Sequence, residues 1–285
     1  MTTPAPIFIV GCPRSGTLMM GRILGSACPD ACLVSEHVEK DREIPEDESG
    51  VEDHRLWWNT FQYPAWNHST NSPSIDVPLY SEEAVASLRE QYLKIADGKR
   101  LIVKNPSHVL YPEIVRAMFP DVVFVYCVRN PWPTLQSMIR KGHENFLLKS
   151  ERAASPENSL LMRAAIGWSD AHESWARHQD SGWIVAEYDQ IVASPQESID
   201  QLCDFLNIPP GEGRQRAYGV PREAPHDYYL IKETFRNDPQ RFQIAQELKA
   251  GCSHFGYPLD PFALNGSLAG HVLGYLARKV SRFAA

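Results

Sequence analysis

The chain alternates between short, wholly apolar runs and longer stretches in which apolar residues recur every three or four positions. Ile7 to Val10 is the first apolar run, four residues rich in β-branched types and closed by Gly11. Such a run reads as a strand buried on both faces, since a half-exposed strand would alternate with polar residues. Ala31 to Val34 predicts a second short strand, and Arg100 to Lys104 another, stopped by Asn105-Pro106. Asp121 to Val128, DVVFVYCV, is the most strand-like run, and Arg129-Asn130-Pro131 breaks it. Trp183 to Ala186 adds one more. Between these runs the pattern predicts helices over Leu18 to Leu24, Ser81 to Ala96, Ser107 to Met118, Thr134 to Arg140, Leu160 to Arg177 and Pro195 to Leu206. Ser81 suits an N-cap, Glu82 and Glu83 fit the first turn behind it, and Gly98 ends that helix. Alternating strands and helices imply right-handed βαβ units and a mainly parallel sheet, with ligands at the carboxyl ends of the strands.

Two stretches leave the pattern. From Val38 to about Tyr80, acidic residues between Glu39 and Asp53 give way to Trp57-Trp58, Phe61, Tyr63 and Trp66 among polar residues. This is too aromatic for a linker and too irregular for one helix, so residues 38–80 read as an insertion folding over the sheet on the acceptor side. Its aromatic residues would face a bound ring or pack a satellite core. Near the end, Leu268, Val272, Leu276, Val280 and Phe283 share one helical face. Residues 260–285 therefore read as a C-terminal helix that docks on the domain, with a partner or a membrane surface as the other uses. Residues 1–285 are read as a single domain.

Composition narrows the classes. The 285-residue chain is long enough for a substantial core, and its net charge of −7 comes without a dense block of Lys and Arg. That disfavours nonspecific nucleic-acid binding, and any anion site must be local. MTTPAP lacks the character of a signal peptide and no apolar run reaches membrane-spanning length, so a cytoplasmic enzyme is expected. The six cysteines are scattered and lack zinc spacing, which reads as reduced thiols and no metal.

The candidate chemistry begins at Gly11-Cys12-Pro13-Arg14-Ser15-Gly16-Thr17, between the first strand and the helix entered at Leu18. A glycine-bearing turn into a helix aims free backbone N–H groups and the positive end of the helix dipole at one spot, which attracts an anion. Arg14 and the hydroxyls of Ser15 and Thr17 are further donors. Gly11 and Gly16 have Walker A spacing, but Thr17 stands where that loop carries its Lys. The geometry is that of a three-layer, P-loop-like α/β fold whose loop suits an anion other than a magnesium nucleotide. By itself the stretch fits an ordinary strand-to-helix turn equally well.

Two later stretches align with it. VKNPSH, Val103 to His108, delivers Lys104 at a strand end, and VFVYCVRNPWPTLQSMI, Val123 to Ile139, delivers Arg129 with Ser137 on the following helix. Together the three resemble the sulfotransferase superfamily, and most closely its tyrosylprotein and carbohydrate branches. The resemblance runs from about Ile7 to about Leu206. It implies 3′-phosphoadenosine 5′-phosphosulfate as sulfuryl donor, 3′,5′-adenosine bisphosphate as product and no metal. It places the 5′-phosphosulfate on Pro13, Arg14, Ser15, Gly16, Thr17 and Leu18, and the 3′-phosphate on Arg129 and Ser137. VAEYDQIVASP, Val185 to Pro195, is similar to a family segment whose Tyr lies near the adenine, which assigns Tyr188. Independently, a donor with two anionic ends needs two anion sites, and Arg129 at a strand end is suited to a phosphate by its bidentate fork.

Sulfuryl transfer is an in-line displacement at sulfur, and Arg14 and Lys104 are the candidates for steadying charge on the leaving phosphate. The resemblance to the tyrosylprotein branch puts the base at Glu36, in Val34 to His37; His108 and then His37 are the alternatives. The acceptor is a hydroxyl on a sugar, lipid, phenol or tyrosine, and a homo-oligomer is compatible with the sequence. A nucleotide kinase-like phosphotransferase and a non-catalytic nucleotide binder are the rival functions. The Arg214 to Arg222 and Tyr228 to Arg236 stretches are candidates for a donor-covering segment.

Overall fold

The computed structural model describes residues 4–35, 53–60, 66–67, 72–73, 81–141, 151–221 and 229–263. Its central sheet has five parallel strands: β1 (Ile7–Gly11), β2 (Cys32–Ser35), β3 (Leu101–Lys104), β4 (Val123–Val128) and β5 (Trp183–Glu187). Their order across the sheet is β2-β3-β1-β4-β5, so β1 lies at the centre. It registers Ile7 against Ile102 on one side and Val123 on the other. Trp66–Asn67 and Ser72–Pro73 form a separate two-residue antiparallel ladder.

The helices are α1 (Thr17–Ala27), α2 (Asp53–Thr60), α3 (Glu82–Ala96), α4 (Pro112–Met118), α5 (Pro131–Lys141) and α6 (Leu160–His178). They continue with α7 (Tyr188–Ala193), α8 (Pro195–Phe205), α9 (Glu212–Tyr218), α10 (Tyr229–Asn237) and α11 (Arg241–Phe255). The period-two rule of strands divides them between two faces. Ile7, Ile9, Ile102, Val125 and Cys127 pack with α1, α8 and α9. Phe8, Val10, Val103, Phe124, Tyr126 and Val128 pack with α3 to α6 and α11. The result is a three-layer α/β fold with a parallel sheet between helices, as its strand-and-helix pattern predicts.

Local chemistry explains where the elements depart from expectation. The helix expected over Ser107 to Met118 is two pieces, a 3₁₀ turn at Pro106–Leu110 and then α4. Pro112 causes the break: the residue before a proline is pushed out of the helical region, and Tyr111 sits at φ −135°, ψ 44°. Helix α5 begins at Pro131, earlier than Thr134, because prolines in a first helical turn forfeit only N–H groups that have no partner there. Asn130 accepts from Trp132 N at 3.1 Å and seals that start. The Arg214 region is helix α9, and the Arg214 guanidinium donates to Ile208 O and pairs with Asp204 at 2.7 Å. That side chain is committed to the fold, which corrects its reading as part of a donor cover; Arg222 and Tyr228 lie outside the described residues.

Trp57, considered as an acceptor-facing ring, is 2% exposed and packs within the main core beside Tyr92 and His108. The segment from Ser267 lies outside the described residues, as does most of 38–80. Among the described residues no helix is long and apolar enough to cross a membrane.

Candidate active site

Loops that leave adjacent strands toward opposite faces open a crevice at their carboxyl ends. Strands β1 and β4 do this: the loop after Gly11 leads to α1 in one helical layer, and Arg129-Asn130 leads to α5 in the other. The two arginine-bearing motifs therefore meet at one place although more than a hundred residues separate them.

The first loop is held in an unusual backbone shape. Arg14 and Gly16 both have left-handed φ, 68° and 102°. A left-handed non-glycine residue costs free energy and clusters at ligand clamps. Gly16 is the N-cap of α1, and no side chain among the described residues caps that helix. First-turn N–H groups from Thr17 and Leu18 consequently point toward the crevice with the helix dipole behind them. Glycine is required at both ends of the loop. A Cβ on Gly11 would stand 2.3 Å from Cys127 O, and one on Gly16 would stand 2.8 Å from the Tyr188 ring. Close approach of strand, loop and ring is what shapes the cradle.

Ser15 behaves differently from the expectation that its hydroxyl adds a donor for an anion. It is 1% exposed, and its hydroxyl turns inward onto Cys12 O and, at 2.9 Å, Cys127 O. Its work is to tie the loop to the end of β4. Pro13 precedes the left-handed Arg14 at the loop apex. Beneath, Cys12 is buried with its Sγ directed at Met138 Sδ, and burial pushes its thiol far up, so it stays protonated and inert.

Arg14 reaches across the crevice, where its Nε donates to Ser137 Oγ at 3.0 Å. Arg129 Nη1 makes a longer 3.4 Å contact to Arg14 O. Its guanidinium lies 4.1 Å over the centroid of Tyr188, and the residue is 7% exposed. The Tyr188 ring thus fills the space between Gly16 and Arg129. On the far side, Trp168 Nε1 donates to Arg129 O at 3.2 Å, which fixes the backbone from which this arginine projects. Stacking on Tyr188 sets the plane of this guanidinium.

Lys104 ends β3 beside β1 and is 3% exposed. Its aliphatic stem runs along α1, where a Cβ on Gly21 would meet Lys104 Cγ at 3.5 Å. Arg14, Thr17, Lys104, Arg129, Ser137 and Tyr188 therefore lie at the carboxyl ends of four neighbouring strands, β3, β1, β4 and β5. Glu36 and His37 lie outside the described residues. His108 is 1% exposed, with Nε2 directed at Asp53 Oδ2 at 3.1 Å and its ring against Trp57 and Phe8. So enclosed, it fits the core better than a base that meets an acceptor.

A cluster of cations and helix N–H groups between β1 and β4 suits a multiply anionic ligand. The family model described as Sulfotransferase family matches residues 6–212.

The chain belongs to the sulfotransferase family.

A Caenorhabditis briggsae protein named for protein-tyrosine sulfotransferase is 23% identical over 206 residues, 71% of this chain and 65% of that protein. The nodulation protein NoeE of Sinorhizobium fredii is 24% identical over 229 residues, 73% of this chain and 52% of that one. The chain thus spans about two thirds and one half of these two relatives. Among solved structures, sulfotransferase STF9 of Mycobacterium avium aligns with TM-score 0.58 at 16% identity, covering 91% of this chain and 79% of that one. The sulfotransferase domain from the curacin biosynthetic pathway aligns with TM-score 0.53 at 16% identity, covering 90% and 99%. At this identity the structural likeness speaks for the fold.

Two features of this chain were invisible in its sequence. The inward turn of Ser15 depends on where β4 lies, and nothing local signals it. Asp53 was one carboxylate in an acidic run, yet it is fully buried beside the end of β3.

Proposed function

We propose that this sulfotransferase moves a sulfuryl group from 3′-phosphoadenosine 5′-phosphosulfate to an acceptor hydroxyl. The observation that carries the reading is the meeting of Arg14 with Ser137 and Arg129 across the β1–β4 crevice. A donor with phosphates at both ends of one nucleoside calls for two anion sites on one crevice. In this reading the N–H groups of Gly16, Thr17 and Leu18 receive the 5′-phosphosulfate. Arg129 and Ser137 receive the 3′-phosphate by charge-assisted bonds. Tyr188 backs Arg129 and borders the adenine side. Pro13 and Ser15 act by shaping the loop.

Transfer breaks the bond between sulfur and the bridging phosphate oxygen and forms one between sulfur and the acceptor oxygen. Negative charge grows on the leaving phosphate, where Arg14 and Lys104 stabilise it. The acceptor proton goes to Glu36, placed directly after β2, whose Ser35 registers against Lys104. The reading needs no metal, and the acceptor is a sugar, lipid, phenol or tyrosine hydroxyl. The name of the Caenorhabditis relative favours the last of these.

Calorimetry tests the donor. 3′,5′-adenosine bisphosphate should bind at least about tenfold more tightly than adenosine 5′-monophosphate, because only it engages the arginine fork. Equal affinity, or preference for ATP with magnesium, overturns the reading in favour of a phosphotransferase.

A further inference from the structure

The acidic run of the insertion ends at Asp53, the first residue of α2 and 0% exposed. A carboxylate taken wholly out of water is costly unless several donors surround it. Three surround this one. Tyr92 on α3 donates its hydroxyl to Oδ1, Asn105 Nδ2 donates to Oδ2 at 2.6 Å, and His108 Nε2 lies 3.1 Å from Oδ2. Trp57 Nε1 donates in turn to the Tyr92 oxygen at 2.7 Å and lays its ring over His108, centroids 4.4 Å apart. Burial alone would push the Asp53 carboxyl up. The His108 imidazole beside it and the bonds from Tyr92 and Asn105 outweigh that and hold the group below the ordinary carboxylate range.

The arrangement has a direction. Asn105 directly follows Lys104, and its backbone N extends the sheet by donating to Ile9 O at 3.2 Å. Its side-chain oxygen accepts from Ser107 N at 3.0 Å, while its amide nitrogen is taken by Asp53. Both ends of the Asn105 side chain are thus fixed, and with them the turn at which β3 stops and the Lys104 stem begins. A merely space-filling core would use an apolar residue here, since removing a buried charge and its partners together is often neutral. The ionic choice ties α2, α3 and the β3 turn into one orientation.

We propose that Asp53 is a positioning residue for Lys104, acting through Asn105 to aim the lysine at the donor's 5′-phosphate. The proposal rests on the reading of Lys104 as a donor contact. Asp53 touches no substrate; its effect passes through the turn.

The test is a double-mutant cycle on binding of 3′,5′-adenosine bisphosphate, which retains the 5′-phosphate and needs no acceptor. Asp53→Asn keeps the shape and removes the charge, and should weaken binding roughly three- to tenfold. Lys104→Ala should weaken it by itself, and Asp53→Asn should cost nothing further in the Lys104→Ala background. A factor that is the same in both backgrounds, or no factor in either, overturns the proposal, since a general loosening of the fold would not depend on Lys104. Failure of the underlying reading looks different: Lys104→Ala alone would then leave affinity unchanged. If Asp53→Asn does not fold, Asn105→Ala cuts the same link from the other side and is read by the same cycle.

Discussion

Arg14 Nε donates to Ser137 Oγ at 3.0 Å, joining the loop after β1 to the helix after β4 across 123 residues. Each residue belongs to a different motif proposed to bind an anion, and the bond makes the motifs one structure. Ser137 accepts from Arg14, which orients its own hydroxyl proton outward. Loss of either partner should then impair both ends of the donor. Ser137→Ala and Arg14→Ala should each weaken 3′,5′-adenosine bisphosphate by about tenfold, and the double variant by less than the product of the two. Calorimetry on the four proteins measures the coupling; strict additivity would mean that the contact carries no energy in binding.

Arg129 offers a sharper contrast. Its guanidinium lies 4.1 Å above the Tyr188 ring, and its backbone carbonyl is held by Trp168. Arg129→Lys should fail to rescue binding, because an ammonium can neither stack nor fork. The expected loss is roughly 10- to 100-fold for the bisphosphate, with adenosine 5′-monophosphate scarcely changed. Restoration of wild-type affinity by lysine would sink the bidentate assignment.

Gly16→Ala strains a residue at φ 102° and drives a methyl to 2.8 Å from the Tyr188 ring. The fold should survive with a loss of about 1–3 kcal/mol in chemical denaturation, while nucleotide binding falls below detection. Gly213→Ala is the control away from the site. Its Cβ would lie 2.7 Å from Ala27 O, at the C-terminal end of α1 where α9 packs on it. It should lower stability comparably yet leave the affinity of the remaining folded protein within about twofold.

Acid sensitivity should come from the packing of α11 on α6, which brings His254 beside His172. His172 is 5% exposed, and its pKa is pushed down to about 4 by burial and by neighbouring His254. Between the ordinary value of 6.5 and about 4 the unfolded chain takes a proton that the native one refuses. Stability is therefore unaffected above that window and falls as pH drops through it, by up to about 1.4 kcal/mol per pH unit. Urea titrations from pH 7 to pH 4 should show the slope for the wild type and a flatter one for His172→Phe. Identical slopes would assign the acid response elsewhere.

The layered fold and the strand-end positions of its basic residues were readable from the chain because both rest on local rules. Apolar runs such as Ile7 to Val10 and DVVFVYCV can only be strands covered on both faces, and Gly11 and Gly16 mark a turn that few other residues can make. The positions of Arg14, Lys104 and Arg129 at strand ends followed from the same reading. What each side chain does there depends on partners distant in sequence, which no local pattern encodes. Ser15 turns inward because Cys127 O lies beside it, and Tyr188 becomes the floor under Arg129 because Gly16 leaves room for its ring. Asp53 is a buried hub rather than a solvated carboxylate only because α2 folds onto Tyr92, Asn105 and His108. Period and propensity act over a few residues, whereas desolvation and hydrogen bonding are settled by what the tertiary fold brings alongside.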